Sequence, residues 1–106
     1  MNDRILTALP VYNEAAHVRQ VLDHVLQHAD DILVVNDGST DNTDAALAEF
    51  SESVHVENHR VNRGYGAALK TAFDYAVRYG YDTLVTIDCD GQHQPRLIKD
   101  IAAQIN

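Results

Sequence analysis

In the stretch TIDCDGQH, Asp88 and Asp90 sit one residue apart, directly after an apolar run. At the end of an extended strand, residues i and i+2 point the same way. Both carboxylates then face one point in space, and Cys89 faces the opposite way, where a small apolar side chain fits. Two convergent carboxylates repel each other unless something neutralises them. A hard divalent cation such as Mg2+ or Mn2+ does so and keeps open positions for water or phosphate oxygens. Gln92 offers a further oxygen ligand. The plain alternative is a solvated Asp-Gly turn. A zinc site through Cys89 and His93 is disfavoured, because strand alternation separates Cys89 from the carboxylates.

Two other apolar runs end in comparable clusters. In VVNDGSTDNT, Asp37 closes the run, Gly38 permits a tight turn, and Ser39, Thr40 or Asp41 can cap a following helix. Asp37 lies before the cap, where its oxygens can accept from a base N–H or a ribose hydroxyl. In PVYNE, Pro10 breaks the preceding strand, Tyr12 offers a flat face, and Glu14 starts a helix, where the dipole favours negative charge. Tyr12 and Glu14 suit a nucleobase, or simply a strand-to-helix turn.

NRGYGAALKT looks like a phosphate loop, but two familiar motifs fail. A P-loop needs glycine directly before lysine, and Leu69 precedes Lys70; the dinucleotide fingerprint needs a small residue where Leu69 again stands. Gly64 and Gly66 instead suit a close backbone approach to a ligand at a helix start. Arg63 beside them faces a phosphate or solvent. The six histidines show no metal spacing, and His17, His24 and His28 fall on the polar side of one helix.

Hydrophobic periodicity supplies the elements that position these residues. Ile5 to Leu9 reads as a first strand, and Ile32 to Val35 as a second, of the continuous apolar kind buried on both faces. From Glu14, the residues Val18, Val21, Leu22, Val25 and Leu26 follow helical spacing. Asp41 to Phe50 reads as a short helix and Val54 to Val56 as a weaker strand. Gly66 to Tyr79 is the clearest helix, with Leu69, Ala72, Phe73, Ala76 and Val77 on one face. Thr83 to Ile87 is a β-branched strand. Pro95 suits the first turn of a last helix, whose apolar face would be Leu97, Ile98, Ile101, Ala102 and Ile105. The alternation predicts an α/β fold with a mostly parallel sheet of about four strands and right-handed crossovers. Ligands of such sheets bind outside the carboxyl ends of the strands, where PVYNE, NDGST and DCDGQH all lie.

Composition narrows the function classes. A length of 106 residues predicts one domain. With 16 acidic residues against 8 basic, the net charge of −8 argues against a general nucleic-acid surface. Cys89 is the one cysteine, so no intrachain disulfide forms, which suits a reducing compartment. No run approaches the ~18 apolar residues of a membrane span. The N-terminus lacks the basic region and apolar core of a signal peptide. These features predict a soluble, cytoplasmic chain.

Taken in order, PVYNE, VVNDGSTDNT, NRGYGAALKTAFDYA and DCDGQHQP closely resemble the family 2 glycosyltransferases. Each motif is moderately specific and the ordered set highly so. The resemblance implies the GT-A fold, a Rossmann-like three-layer α/β/α arrangement, with residues 1–106 forming the nucleotide-sugar-binding part of the catalytic domain. It implies that Pro10, Val11, Tyr12, Glu14 and Asp37 surround the nucleobase and ribose, with Gly64 nearby. It implies that Asp88, Cys89 and Asp90 form the family's DxD motif. Asp90, with Asp88 and Gln92, would hold Mg2+ or Mn2+ against the donor diphosphate, which is how Asp88 and Asp90 would serve catalysis. The glutamine and histidine after Gly91 look most like the branch similar to dolichol-phosphate mannosyltransferase.

From the resemblance follows a metal-dependent, inverting transfer from a UDP- or GDP-linked sugar to an acceptor, a polyprenyl phosphate or a glycan. Acceptor contacts and any catalytic base belong, in the family, after the region matching residue 106. The expectation is therefore a chain truncated on its C-terminal side, inactive alone, whose longer parent works at the cytosolic face of a membrane. Loss of later strands would leave the fourth strand an open edge and drive homo-oligomerisation. A receiver-like regulatory module is the first competing class, but it wants its acid pair near strand one. A nucleotidyltransferase is the second, and VYNEAAHV stands where its Gly-rich basic loop belongs.

Overall fold

The computed structural model describes residues 4–89 and, as backbone, the strand at 96–99. The elements run β1 (Ile5–Val11), α1 (Val18–Leu26), β2 (Ile32–Asp37), α2 (Thr43–Ala48), β3 (His55–His59), α3 (Tyr65–Arg78), β4 (Thr83–Thr86) and β5 (Arg96–Lys99). They form one sheet in the order β3-β2-β1-β4-β5. β1 pairs in parallel with β2 and β4, and β2 with β3, whereas β5 runs antiparallel to β4. The expected parallel sheet of four strands is present, with a fifth strand added.

The order places the site. From β1 the chain steps outward to β2 and β3, then returns across the sheet to β4 on the other side of β1. Such a reversal opens a crevice outside the carboxyl ends of the strands flanking it, here β1 and β4.

Alternation along β1 and β2 feeds two cores. Leu9, Val11, Ile32 and Val34 face α1 and α2, meeting Val18, Val21, Leu22, Val25, Ala46 and Leu47. Leu6, Ala8, Leu33, Val35 and Leu84 face α3. The result is three layers, with α1 and α2 on one face and α3 on the other. The first helix starts later than its spacing predicts, at Val18. The carbonyl of Glu14 accepts the amides of both His17 (2.9 Å) and Val18 (2.8 Å), which makes a turn that feeds α1.

The expected face of α3 is inward at Ala72, Ala76 and, half-buried, Leu69 and Phe73, and it is centred nearer Ala68 than Val77. Its buried residues are Ala68, Ala72 and Ala76, while Val77 is exposed. Three alanines at i, i+4, i+8 let the helix axis approach the sheet closely. Ala72→Leu is therefore expected to destabilise the chain by about 1–3 kcal/mol through overpacking. Urea denaturation checks this, and a change below about 0.5 kcal/mol would show slack in that layer.

Two expectations at the C-terminal side are corrected. The segment 96–99, read as part of a helix, is a strand. Four residues span little more than one helical turn, so periodicity alone does not separate the two states. Ladder pairing decides, with Thr83 opposite Lys99 and Thr86 opposite Arg96. The rest of that predicted helix lies outside the described residues. The open edge expected at β4 is covered by β5, which removes the reason given for homo-oligomerisation. Among the described residues, no helix is long and apolar enough to cross a membrane.

Candidate functional site

A cleft of about 390 Å3 opens at the carboxyl ends of the parallel strands. Pro10, Val11, Tyr12 and Glu14 line it from β1, Asp37 from β2, and Asp88 and Cys89 from beyond β4. Gly64 does not line it. Asn62, Tyr65 and Ala68, which sequence reasoning did not single out, complete the wall from the approach to α3 and its first turns. Tyr12 and Tyr65 are a little under half exposed, while Pro10, Val11 and Ala68 are buried. The cleft thus has an apolar floor, aromatic walls and carboxylates. The one sequence sign of Tyr65 is its place between Gly64 and Gly66.

Asn13 joins the loops after β1 and β2. It adopts a left-handed conformation (φ 51°), and its Oδ1 accepts the amide of Thr40 at 2.7 Å. Its own amide donates to Ser39 Oγ at 3.0 Å, and Ser39 Oγ donates to Asn36 Oδ1 at 2.6 Å. Ser39 and Thr40 therefore tie loops together, and none of the three expected residues is the cap of α2, a position that Asn42 holds without a side-chain bond, although Asp41 braces the helix start. Its Oδ1 accepts the Thr43 amide (2.9 Å) and the Thr43 hydroxyl. The Thr43 hydroxyl bond leads the interactions that hold the Asp41 carboxyl below the usual carboxylate range.

Asp37 is 3% exposed and accepts four hydrogen bonds. Oδ1 receives His59 Nδ1 (2.7 Å) and the amide of Arg63 (2.9 Å). Oδ2 receives Asn62 Nδ2 (3.2 Å) and the amide of Gly64 (2.9 Å). Burial pushes this carboxyl up, but the hydrogen bonds from His59 and from the two amides, with the electrostatic influence of His59, together bring it below the usual range. An ionised carboxylate has about four acceptor sites. A base or ribose group would reach Asp37 only in competition with the segment 62–64. Gly38, next to it, has φ 72°, and the backbone of Val61 and Asn62 lies against its Cα.

Asp88 is half-buried, and its Oδ1 accepts the Tyr65 hydroxyl at 2.7 Å. Cys89 is buried with Leu9 and Val11 in the core under α1 and α2, at the inner wall of the cleft. Asp88 retains oxygen acceptor capacity of the kind a hard divalent cation takes. The other expected metal ligands, Asp90 and Gln92, lie outside the described residues. Among the described residues, no group of three or more His, Cys, Asp or Glu could hold a metal ion. Arg63 is exposed, and Lys70 pairs with Asp74 on the outer face of α3 (3.0 Å).

Gly66 sits in the first turn of α3 with nothing within 4 Å of an added Cβ. Gly66→Ala should raise stability by up to about 1 kcal/mol, since alanine favours the helix. If Gly66 serves close approach of a ligand, the same change should weaken binding while it stabilises the fold. Thermal melting beside a binding titration reads both, and unchanged affinity would assign Gly66 no ligand role.

Comparison with known proteins bears on what the cleft serves. The sequence profile described as "Glycosyl transferase family 2" matches residues 7–106. The chain is 39% identical over 99 residues to polyprenol monophosphomannose synthase of Mycolicibacterium smegmatis, covering 87% of this chain and 37% of that protein. It is 39% identical over 98 residues to undecaprenyl-phosphate mannosyltransferase of Micrococcus luteus, covering 87% and 40%. Its fold is similar to that of glucosyl-3-phosphoglycerate synthase from Mycobacterium tuberculosis, solved with Mn2+, UDP and phosphoglyceric acid. The TM-score is 0.67 at 26% identity, over 84% of this chain and 34% of that one. The chain therefore spans well under half the length of these proteins.

Proposed function

We propose, from the premise that the chain belongs to glycosyl transferase family 2, that its cleft is the donor site of a glycosyltransferase. The observation that carries this reading is the convergence of Tyr12, Asp37 and Asp88 from three strand ends at the reversal of the sheet. A nucleobase would lie against the exposed ring of Tyr12 over the apolar floor. Ribose hydroxyls would donate to Asp88, displacing or sharing the Tyr65 hydroxyl. Glu14 stands at the base end.

Charge supports a cation at this site. The cleft is lined by the carboxylates of Glu14, Asp37 and Asp88, and by no lysine or arginine among the described residues. A diphosphate entering it meets like charge unless a cation comes with it. Asp88, with Asp90 and Gln92, would hold Mg2+ or Mn2+. When bound, the ion supplies Lewis-acid stabilisation of charge on the leaving nucleoside diphosphate. An acceptor oxygen attacks the anomeric carbon in line, the bond to the diphosphate breaks, and the sugar carbon inverts.

The two mannosyltransferase relatives support a polyprenyl phosphate as acceptor. Its phosphate oxygen is already anionic and needs no general base. Such an acceptor would bring the protein to the cytosolic face of a membrane. The 106 residues alone are expected to bind nucleotide weakly and to transfer no sugar. Turnover of a nucleotide-sugar donor by the purified chain would overturn that last point.

Calorimetric titration with UDP and with GDP, each with and without Mn2+, tests the donor site, with Asp90→Asn alongside. Metal-dependent binding of one nucleotide, lost in Asp90→Asn, is the expected result and identifies the base. Absence of binding by either nucleotide in the presence of Mn2+ would sink the reading.

A further inference from the structure

His59 belongs to no motif in the sequence, yet its imidazole lies at the junction of three elements. It ends β3 and stands opposite Asp37 in the parallel β2–β3 register. The two side chains are 6% and 4% exposed. Nδ1 lies 2.7 Å from Asp37 Oδ1, and Nε2 lies 2.8 Å from the hydroxyl of Thr71 on α3. An ionised carboxylate only accepts, so Nδ1 carries the proton and, in the neutral ring, Nε2 accepts from Thr71. One ring thus refers the end of β2 to α3.

Everything that faces the cleft from this side hangs on that line. Asp37 holds Asn62 and the amides of Arg63 and Gly64. The next residue, Tyr65, begins α3 and donates to Asp88. We infer that His59 is a positioning residue of the cleft: through Asp37 and Thr71 it fixes the segment 62–64 and sets Tyr65 against Asp88. The ligand in this inference rests on the donor-site reading; the placement of the segment does not.

Two substitutions separate the ring's two bonds. The amide nitrogen of asparagine falls near the position of Nδ1, and that of glutamine near Nε2. His59→Asn keeps the donor to Asp37, and His59→Gln keeps only the Thr71 side. The inference expects His59→Asn to hold the Mn2+-dependent affinity for UDP or GDP within about threefold. It expects His59→Gln to lose about tenfold or more, one buried donor–acceptor pair being broken. A ring that merely fills space predicts the opposite order, since glutamine is nearer to histidine in volume, and that order would overturn the inference.

The second readout needs no ligand. Amide hydrogen exchange of Arg63 and Gly64, followed by NMR, should be slow in the parent chain and in His59→Asn, and faster in His59→Gln. Unchanged protection in His59→Gln would overturn the inference even if nucleotide binds. Should the parent chain bind neither nucleotide, the donor-site reading fails while the exchange data still decide the role of His59. Should a His59 variant fail to fold, Thr71→Val decides instead. Faster exchange at Arg63 and Gly64 supports the inference, and parental rates there refute it.

Discussion

Asp37→Asn is expected to destabilise the chain by about 1–3 kcal/mol or more at neutral pH, at least one donor to this buried carboxylate losing its acceptor. The side chains are isosteric, so no cavity forms. One oxygen remains to accept, and an NH2 group replaces the other. Four donors converge on this carboxylate, from His59, Asn62, Arg63 and Gly64. Whichever way the amide turns, the backbone amide of Arg63 or of Gly64 faces a donor, and the His59 ring escapes one only by changing tautomer. Domains of this size are stable by about 5–15 kcal/mol, so the loss is a large fraction of the whole. Urea denaturation measures it.

The pH dependence gives this prediction a second edge. The folded carboxyl lies below its ordinary value, despite burial that pushes it up, because hydrogen bonds from His59 and the two amides prevail. A depressed folded pKa contributes stability that is fully present above the unfolded value, about 3.9 for aspartate. That contribution is lost as pH falls through the folded value. Asp37→Asn has no such titration. Its deficit should thus hold steady near neutrality and shrink as pH falls below about 4. Other acids with lowered values, such as Asp41, titrate in both proteins and cancel. A deficit that does not change down to about pH 3 would mean that the carboxylate is not the source of the stability.

Much of this site was legible because strand ends and the residues after them are local in sequence. Pro10, Tyr12, Glu14, Asp37 and Asp88 follow from that reading, Val11 and Cys89 from the family resemblance, and the cleft gathers them all. Asn62, Tyr65, His59 and Thr71 were not found, and the reason is physical. Asp37 meets His59 through a parallel register, which depends on which strands pair and where. No spacing in the sequence encodes it. Ala68 lies one turn before Ala72 on the same face, at the edge of the expected helix, where the helical spacing alone does not separate a buried alanine from an exposed one. The segment 96–99 is a strand because pairing with β4 overrides the helical spacing that Leu97 and Ile98 share with the residues after them, and pairing is not local in sequence.

Gly38→Ala carries the other large effect, and a second glycine provides its control. Gly38 has φ 72° and Gly80 has φ 75°, so alanine at either position bears a similar left-handed strain. That strain is about 1–2 kcal/mol. The surroundings differ. At Gly80 the nearest atom to an added Cβ is the guanidinium of Arg4 at 3.3 Å, the end of a flexible side chain. At Gly38 it would stand 2.3 Å from the amide nitrogen of Asn62 and 2.3 Å from the carbonyl carbon of Val61. Backbone there must move, and it is the backbone that leads into the segment held by Asp37. Gly80→Ala should then cost only its strain, whereas Gly38→Ala should cost about 3 kcal/mol or more, strain plus at least one buried hydrogen bond at Asp37. Gly38→Ala should also weaken nucleotide binding, while Gly80→Ala, remote from the cleft lining, should not. Equal costs for the two alanines would show that the approach of residues 61 and 62 to Gly38 yields freely, and the rigid wall assigned to this side of the cleft would have to be given up.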